Sequence, residues 1–178
     1  MWLERELWGA WLLLLVFAGL SGCSDGPQTG PVPVHFDRDT CTRCRMVLSD
    51  PRFVAEVRWF PAGKRSRIAK FDDIGCAVLW LAEQPFRDDP RVEIWVADYR
   101  THGWIDARKA YYVKLNNSPM EYGLGAQSDP APGALGFEQA KEHIREVEEK
   151  FNVHGQQLKQ RLEEQARRRA LLRQTEKP

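Results

Sequence analysis

The sequence predicts an α+β fold, a single domain of two β-β-α-type units with an extended N-terminal linker and a charged C-terminal helical tail. Runs with period-two alternation come in sets separated by turn residues, as in FVAEVRWF, PAGK and SRIAKF between positions 53 and 71. Each set is followed by a stretch whose apolar residues recur three and four apart, the helical signature. Less a leader of 22 residues, the 178-residue chain is one ordinary domain's worth, long enough to bury a core without disulfide staples.

Residues 1–22 form that leader. LWGAWLLLLVFAGL is an apolar run of 14 residues, too short to span a bilayer as a helix, and reads as a secretory signal. It ends in Leu20, Ser21, Gly22 and Cys23, which resembles a bacterial lipoprotein cleavage box, so Cys23 is expected to become the lipidated first residue. The mature chain is then expected on the periplasmic face of a bacterial membrane. Residues 23–35 are rich in Ser, Asp, Gly, Pro, Gln and Thr and read as a flexible spacer. The domain is expected over 36–153 and the tail over 154–178.

Within the domain, the sulfur-bearing stretch CTRCRM at 41–46 comes first and is closed by Asp50 and Pro51, where the residue before proline is pushed away from helix. The 53–60 and 66–71 strands pair as a hairpin. Asp72 then caps a helix running to about Gln84, with Ile74, Ala77, Val78 and Leu81 on one face and Pro85 beyond its end. Strands follow at 92–98, 104–106 and 110–115. A second helix starts near Phe137, carried by Ala140, Ile144, Val147 and Phe151, and is expected to break at Gly155. Between them, NNSPMEYGLGAQSDPAPGALG reads as a long loop, and long loops in compact domains are often functional. Residues 156–174 read as a charged, protruding helix or a solvated tail.

The chain holds 26 Lys and Arg against 25 Asp and Glu, and seven of the basic residues but only three of the acidic ones lie in 155–178. The folded part is therefore slightly acidic. A duplex-binding domain carries a clear basic surplus, so no nucleic-acid partner is expected. No Ser-His-Asp arrangement, phosphate loop or nucleotide fingerprint is present, so no catalytic residues and no enzymatic turnover are expected.

The chemistry lies in the sulfur atoms. Cys41, Cys44 and Met46 fall within six residues, Met120 lies in the long loop, and Cys76 sits in the first turns of the capped helix. If 44–46 are extended, the Cys44 thiol and the Met46 thioether share a face. Arg43 and Arg45 favour the thiolate, the form that binds metal. Thiolate with thioether is a soft donor set, which selects copper(I) over harder divalent ions. Zinc wants four Cys or His ligands, reached here only by recruiting Cys76 and a lone histidine. A thiol-disulfide oxidoreductase using the Cys41 and Cys44 pair is the alternative, although CTRC lacks the strand-to-helix junction of thioredoxin. A structural zinc module is a further one. Cys76 itself reads as a small buried hydrophobe. Of His35, His102, His143 and His154, none has paired ligand spacing, and His35 lies nearest the sulfurs. Asp72 and Asp73 read as helix-capping acids.

The blocks CTRCRMVLSDPRFVAEV, KFDDIGCAVLWL, WVADYRTHGWIDARKAYYV and SPMEYGLGA, in this order over roughly 36–153, resemble the NosL family, accessory lipoproteins of nitrous-oxide reductase maturation. The resemblance implies a membrane-anchored copper(I) chaperone that feeds the copper-sulfide centre of the periplasmic reductase in concert with an ABC-type transporter. It also implies a fold similar to that of the organomercurial lyase. Residue by residue, the family's Cys-x-Met falls on Cys44 and Met46, its Pro-Met loop falls on Pro119 and Met120, and Cys41 is the neighbouring thiol. The third copper ligand is then His35, Cys41 or Met120. Arg45 and Glu121 stand where the family pattern has glycine.

Overall fold

The computed structural model describes residues 29–175, with some side chains of the last helix beyond residue 152 left aside. The leader and the lipidation site at Cys23 lie outside the described residues. The element order is β1 (Ala55–Trp59), β2 (Arg67–Phe71), α1 (Ile74–Ala82), β3 (Glu93–Ala97), β4 (Trp104–Asp106), β5 (Tyr111–Lys114), β6 (Leu124–Gln127) and α2 (Phe137–Thr175).

The α+β class is as expected, and the first hairpin and helix form as read. The rest departs from two like units. β3 adds to the free edge of β1, giving an antiparallel sheet in the order β2-β1-β3-β4, while β5 pairs with β6 in a separate ribbon and bridges Leu135 through Tyr112. β6 lies inside the stretch read as one long loop. In register, Ala55 faces Phe71 and Val96, and Val57 faces Ala69 and Ile94, so one face of the sheet is an apolar layer. α1 packs on that face through Ile74, Ala77, Val78 and Leu81, and α2 covers α1 and β5 with Ala140 and Ile144.

The opposite face of β1 carries Glu56 and Arg58, and alternation alone would leave them in water. Both are buried, at 0% and 3% exposure. The segment around residues 30–34 is strapped across them: the Val32 amide donates to Glu56 Oε2 at 2.9 Å, the Gly30 amide donates to Glu93 Oε2 at 2.7 Å, and Arg58 Nε donates to the Gly30 carbonyl at 2.8 Å. Lys70 Nζ completes the clasp on the Pro33 carbonyl and on Asp39. Part of the expected spacer is thus docked on the sheet, because charged side chains there satisfy its backbone groups.

Two helix boundaries also differ. The N-cap of α1 is Asp73, whose carboxylate accepts the Gly75 amide at 2.9 Å. α2 runs through Gly155 without a break. One interior glycine costs about 1 kcal/mol relative to alanine, and the good helix formers on either side absorb that.

Candidate metal centre

Residues 39–48 fold back on themselves. The Leu48 amide donates to the Asp39 carbonyl, the Cys41 amide to the Met46 carbonyl at 2.8 Å, and the Arg45 amide to the Cys41 carbonyl at 3.1 Å. Closing so tight a turn requires Arg45 at φ 68. The expectation that 44–46 are extended, with the Cys44 and Met46 side chains on one face, therefore does not hold. The Thr42 amide donates to the Lys70 carbonyl at 2.8 Å. This bond docks the thiol loop on the end of β2, where the chain turns into Asp72, Asp73 and α1.

That docking brings together residues far apart in sequence. One ligand atom each from Cys41, Cys44, Asp72 and Cys76 lies within 4.8 Å of all the others. Cys41 and Cys76 are fully buried, Asp72 is 4% exposed, and Cys44 is half-buried. The three cysteines are free thiols. Asp72 stands just before the Asp73 cap and Cys76 in the first turn of α1, so both lie at the start of that helix. The positive end of the helix dipole also favours anionic ligands there.

Protons are unevenly held among the three thiols. The Cys41 sulfur receives a hydrogen bond from the Cys76 thiol and further ones from the Cys44 and Asp72 amides, which bring it down to about 6 despite burial. Cys76, the donor to Cys41, is pushed far up, chiefly by that bond and then by burial. Burial pushes the Cys44 thiol up to about 12, and it donates to Asp72 Oδ2 at 3.1 Å. These hydrogen bonds favour a thiolate at Cys41 over one at Cys44 or Cys76. Asp72 Oδ1 is buried and meets no donor.

A cleft of about 290 Å³ opens beside the cluster, with Asp72 in its wall together with Met46, Val47, Phe53, Ser118 and Pro119. Met46 is 55% exposed at its mouth. The loop after β5 forms the far wall. It is fixed to the α1 N-terminus by Ser118 Oγ, which donates to Asp73, and by the Met120 amide on the same carboxylate. Burial lifts Asp73 to about 6 against these bonds. The Tyr122 ring lies on Gly75 so closely that a Cβ there would sit 2.2 Å from it. Tyr122 Oη then donates to Glu148 Oε2 at 2.7 Å, while Arg43 Nη2 meets Glu148 Oε1 at 2.6 Å. α2 therefore holds both loops.

Of the residues expected to hold metal, Cys41 and Cys44 are in the cluster and Met46 is on the cleft. Met120 belongs to the wall loop but packs against the core instead of lining the cleft. His35 is exposed in a turn and outside the cluster. His102 is exposed, and His143 Nε2 hydrogen-bonds the Tyr122 carbonyl at 2.9 Å. Sequence reasoning missed Asp72 and Cys76 as members of the cluster. Their four-residue spacing at a helix start was the available signal, and a capping role for one and a core role for the other explained them away.

No curated protein matches the chain. Among solved structures, the crystal structure of the copper chaperone NosL from Shewanella denitrificans is similar at 18% identity, covering 68% of this chain and 89% of that one with a TM-score of 0.40. The model of the NosL family matches residues 31–132, more than half of the chain, from the strap over Glu56 through the thiol loop, α1 and β6. This protein belongs to the NosL family.

Proposed function

We propose that the protein is a copper(I) chaperone, anchored by a lipid on Cys23 at the periplasmic face of a bacterial membrane, that delivers copper for the copper-sulfide centre of nitrous-oxide reductase with an ABC-type transporter. The observation that supports this best is the cluster of three free thiols beside an open cleft edged by Met46. Copper(I) takes two or three soft donors. Cys44 and Cys41 supply thiolates, and Met46 and Met120 are the thioethers on the two surrounding loops. Metal binds the Cys44 thiolate, and burial disfavours that form, so affinity rises with pH. A half-buried thiolate at a cleft mouth leaves bound copper open to attack by an incoming ligand, which is how a carrier gives up its cargo without unfolding. Among the described residues no helix is long and apolar enough to cross a membrane.

The oxidoreductase alternative is less well served. Its nucleophile would be an accessible thiolate, but Cys41 is fully buried, and burial together with the bond to Asp72 disfavours the thiolate of half-buried Cys44. An anaerobic competition titration with copper(I) and a chromophoric chelator tests the proposal. Stoichiometric tight binding is expected, lost in Cys44→Ser and weakened in Met46→Ala and Met120→Ala. Affinity unchanged in Cys44→Ser overturns it. Copper transfer to the apo-reductase, followed by the appearance of its copper-sulfide absorption, tests the client.

A further inference from the structure

We infer that Cys41, Cys44, Cys76 and Asp72 also form a four-coordinate site for a divalent thiophilic ion of the zinc class, with the Asp72 carboxylate as the fourth ligand. The two soft-metal loops do not account for this carboxylate. A copper(I) ion is satisfied by sulfur alone and gains nothing from a hard oxygen. A divalent zinc-class ion takes four ligands in a tetrahedron and accepts Cys and Asp together.

Asp72 is the independent observation. It is 4% exposed, and its Oδ1 meets no hydrogen-bond donor. Buried carboxylates are paired with charge, saturated with donors or bound to metal. Here the free lone pairs belong to the same carboxylate whose other oxygen lies 3.1 Å from Cys44 Sγ. The dimensions suit a small tetrahedron. With Zn–S near 2.3 Å and Zn–O near 2.1 Å, the sulfurs stand about 3.8 Å apart and each sulfur about 3.6 Å from the oxygen. Ligand atoms all within 4.8 Å of one another reach those separations by side-chain rotation.

The pocket is shared with copper, but the inference rests on the carboxylate and stands without the chaperone reading. In an oxidising compartment such an ion would hold the three thiols out of disulfides until copper(I), the stronger thiolate binder, displaced it.

Cobalt(II), a coloured stand-in for zinc, is the probe, titrated into the reduced full-length protein in detergent without oxygen. One equivalent is expected to give tetrahedral d–d bands and charge transfer from three thiolates, and one equivalent of zinc to bleach them. Cys76→Ser should remove about one third of the charge-transfer intensity. Asp72→Asn should weaken cobalt and zinc at least about tenfold more than it weakens copper(I), and an unchanged circular-dichroism spectrum shows that the variant is folded. Met46→Ala should leave cobalt unaffected. Copper(I) should displace cobalt one for one. The inference is overturned if no thiolate-to-cobalt bands form, if Asp72→Asn weakens both metals alike, or if the cobalt bands survive a full equivalent of bound copper. Cobalt bound without any copper binding would support it and sink the chaperone reading alone.

Discussion

Arg45 and Glu121 occupy left-handed backbone, at φ 68 and φ 62, in the two loops that border the metal cluster. For a residue with a Cβ this conformation costs about 1–2 kcal/mol. Both side chains are exposed, so little packing is lost when they are removed. Glycine returns the strain but costs about 0.5–1 kcal/mol through the freedom it adds to the unfolded chain. Arg45→Gly and Glu121→Gly are therefore each expected to stabilise by about 0.5–1 kcal/mol, and the pair to add. For a protein of this size that is about 2–3 °C per substitution. Differential scanning calorimetry and urea unfolding of the reduced protein read the effect. An opposite control stands nearby: Gly123 at φ 63 would place a Cβ 2.8 Å from the Leu115 carbonyl oxygen, so Gly123→Ala should destabilise by about 2–3 kcal/mol. Midpoints unchanged or lowered in both glycine variants would refute the reasoning, because the strain would then be offset by contacts that the geometry does not contain. Copper(I) affinity should stay within about twofold of the parent, since the turn keeps its shape.

Stability should fall as pH rises from 5 to 8, because burial under the strap lifts Glu56 from the ordinary 4.5 to about 7. Its stabilising protonated form is fully present below 4.5 and lost through about 7, a cost of up to about 3 kcal/mol, and Glu56→Gln should flatten that slope in urea unfolding at the two pH values. Gly75→Ala would drive a methyl into the Tyr122 ring, and about 3 kcal/mol or more of unfolding free energy should be lost in chemical denaturation. Glu148→Gln breaks a partly buried ion pair whose side chains are about a quarter exposed. A loss of about 1–2 kcal/mol is expected, and a double-mutant cycle with Arg43→Met should return most of it as coupling energy; independent effects would mean that the pair is ornamental.

The elements visible in the sequence were those with several residues repeating at one period. β1, β2, β3, β4, β5, α1 and the start of α2 fall within a residue or two of the expected positions. β6 was hidden because Leu124–Gln127 is only four residues long, contains Gly125 and follows a Pro and Gly-rich approach, so its pairing with β5 is the only thing that makes it a strand. Asp72 and Asp73 are equally good caps by residue type. Tertiary contact chose Asp73, which Ser118 and Met120 reach, and freed Asp72 for the cluster. The same contact reassigned Glu56 and Arg58 from solvent to the interior. In the site, CTRC was legible from its spacing, whereas Cys76 joins it through tertiary contacts such as the bond between Thr42 and Lys70.

The three anchors of the metal loops differ in how easily they yield. The Thr42 bond is part of the sheet edge, and the Ser118 bond to Asp73 is buried at the cap of α1. The Glu148 anchor, shared by Arg43 and Tyr122, is the partly exposed one. It also lies on α2, beyond residue 132, where the family match ends. The cluster's ligands thus sit wholly within the family segment, while the clamp that fixes the loops around them belongs to a helix outside it. Loss of the Glu148 anchor would free Arg43 and Tyr122 together, and these stand on the two loops that also bear Met46 and Met120.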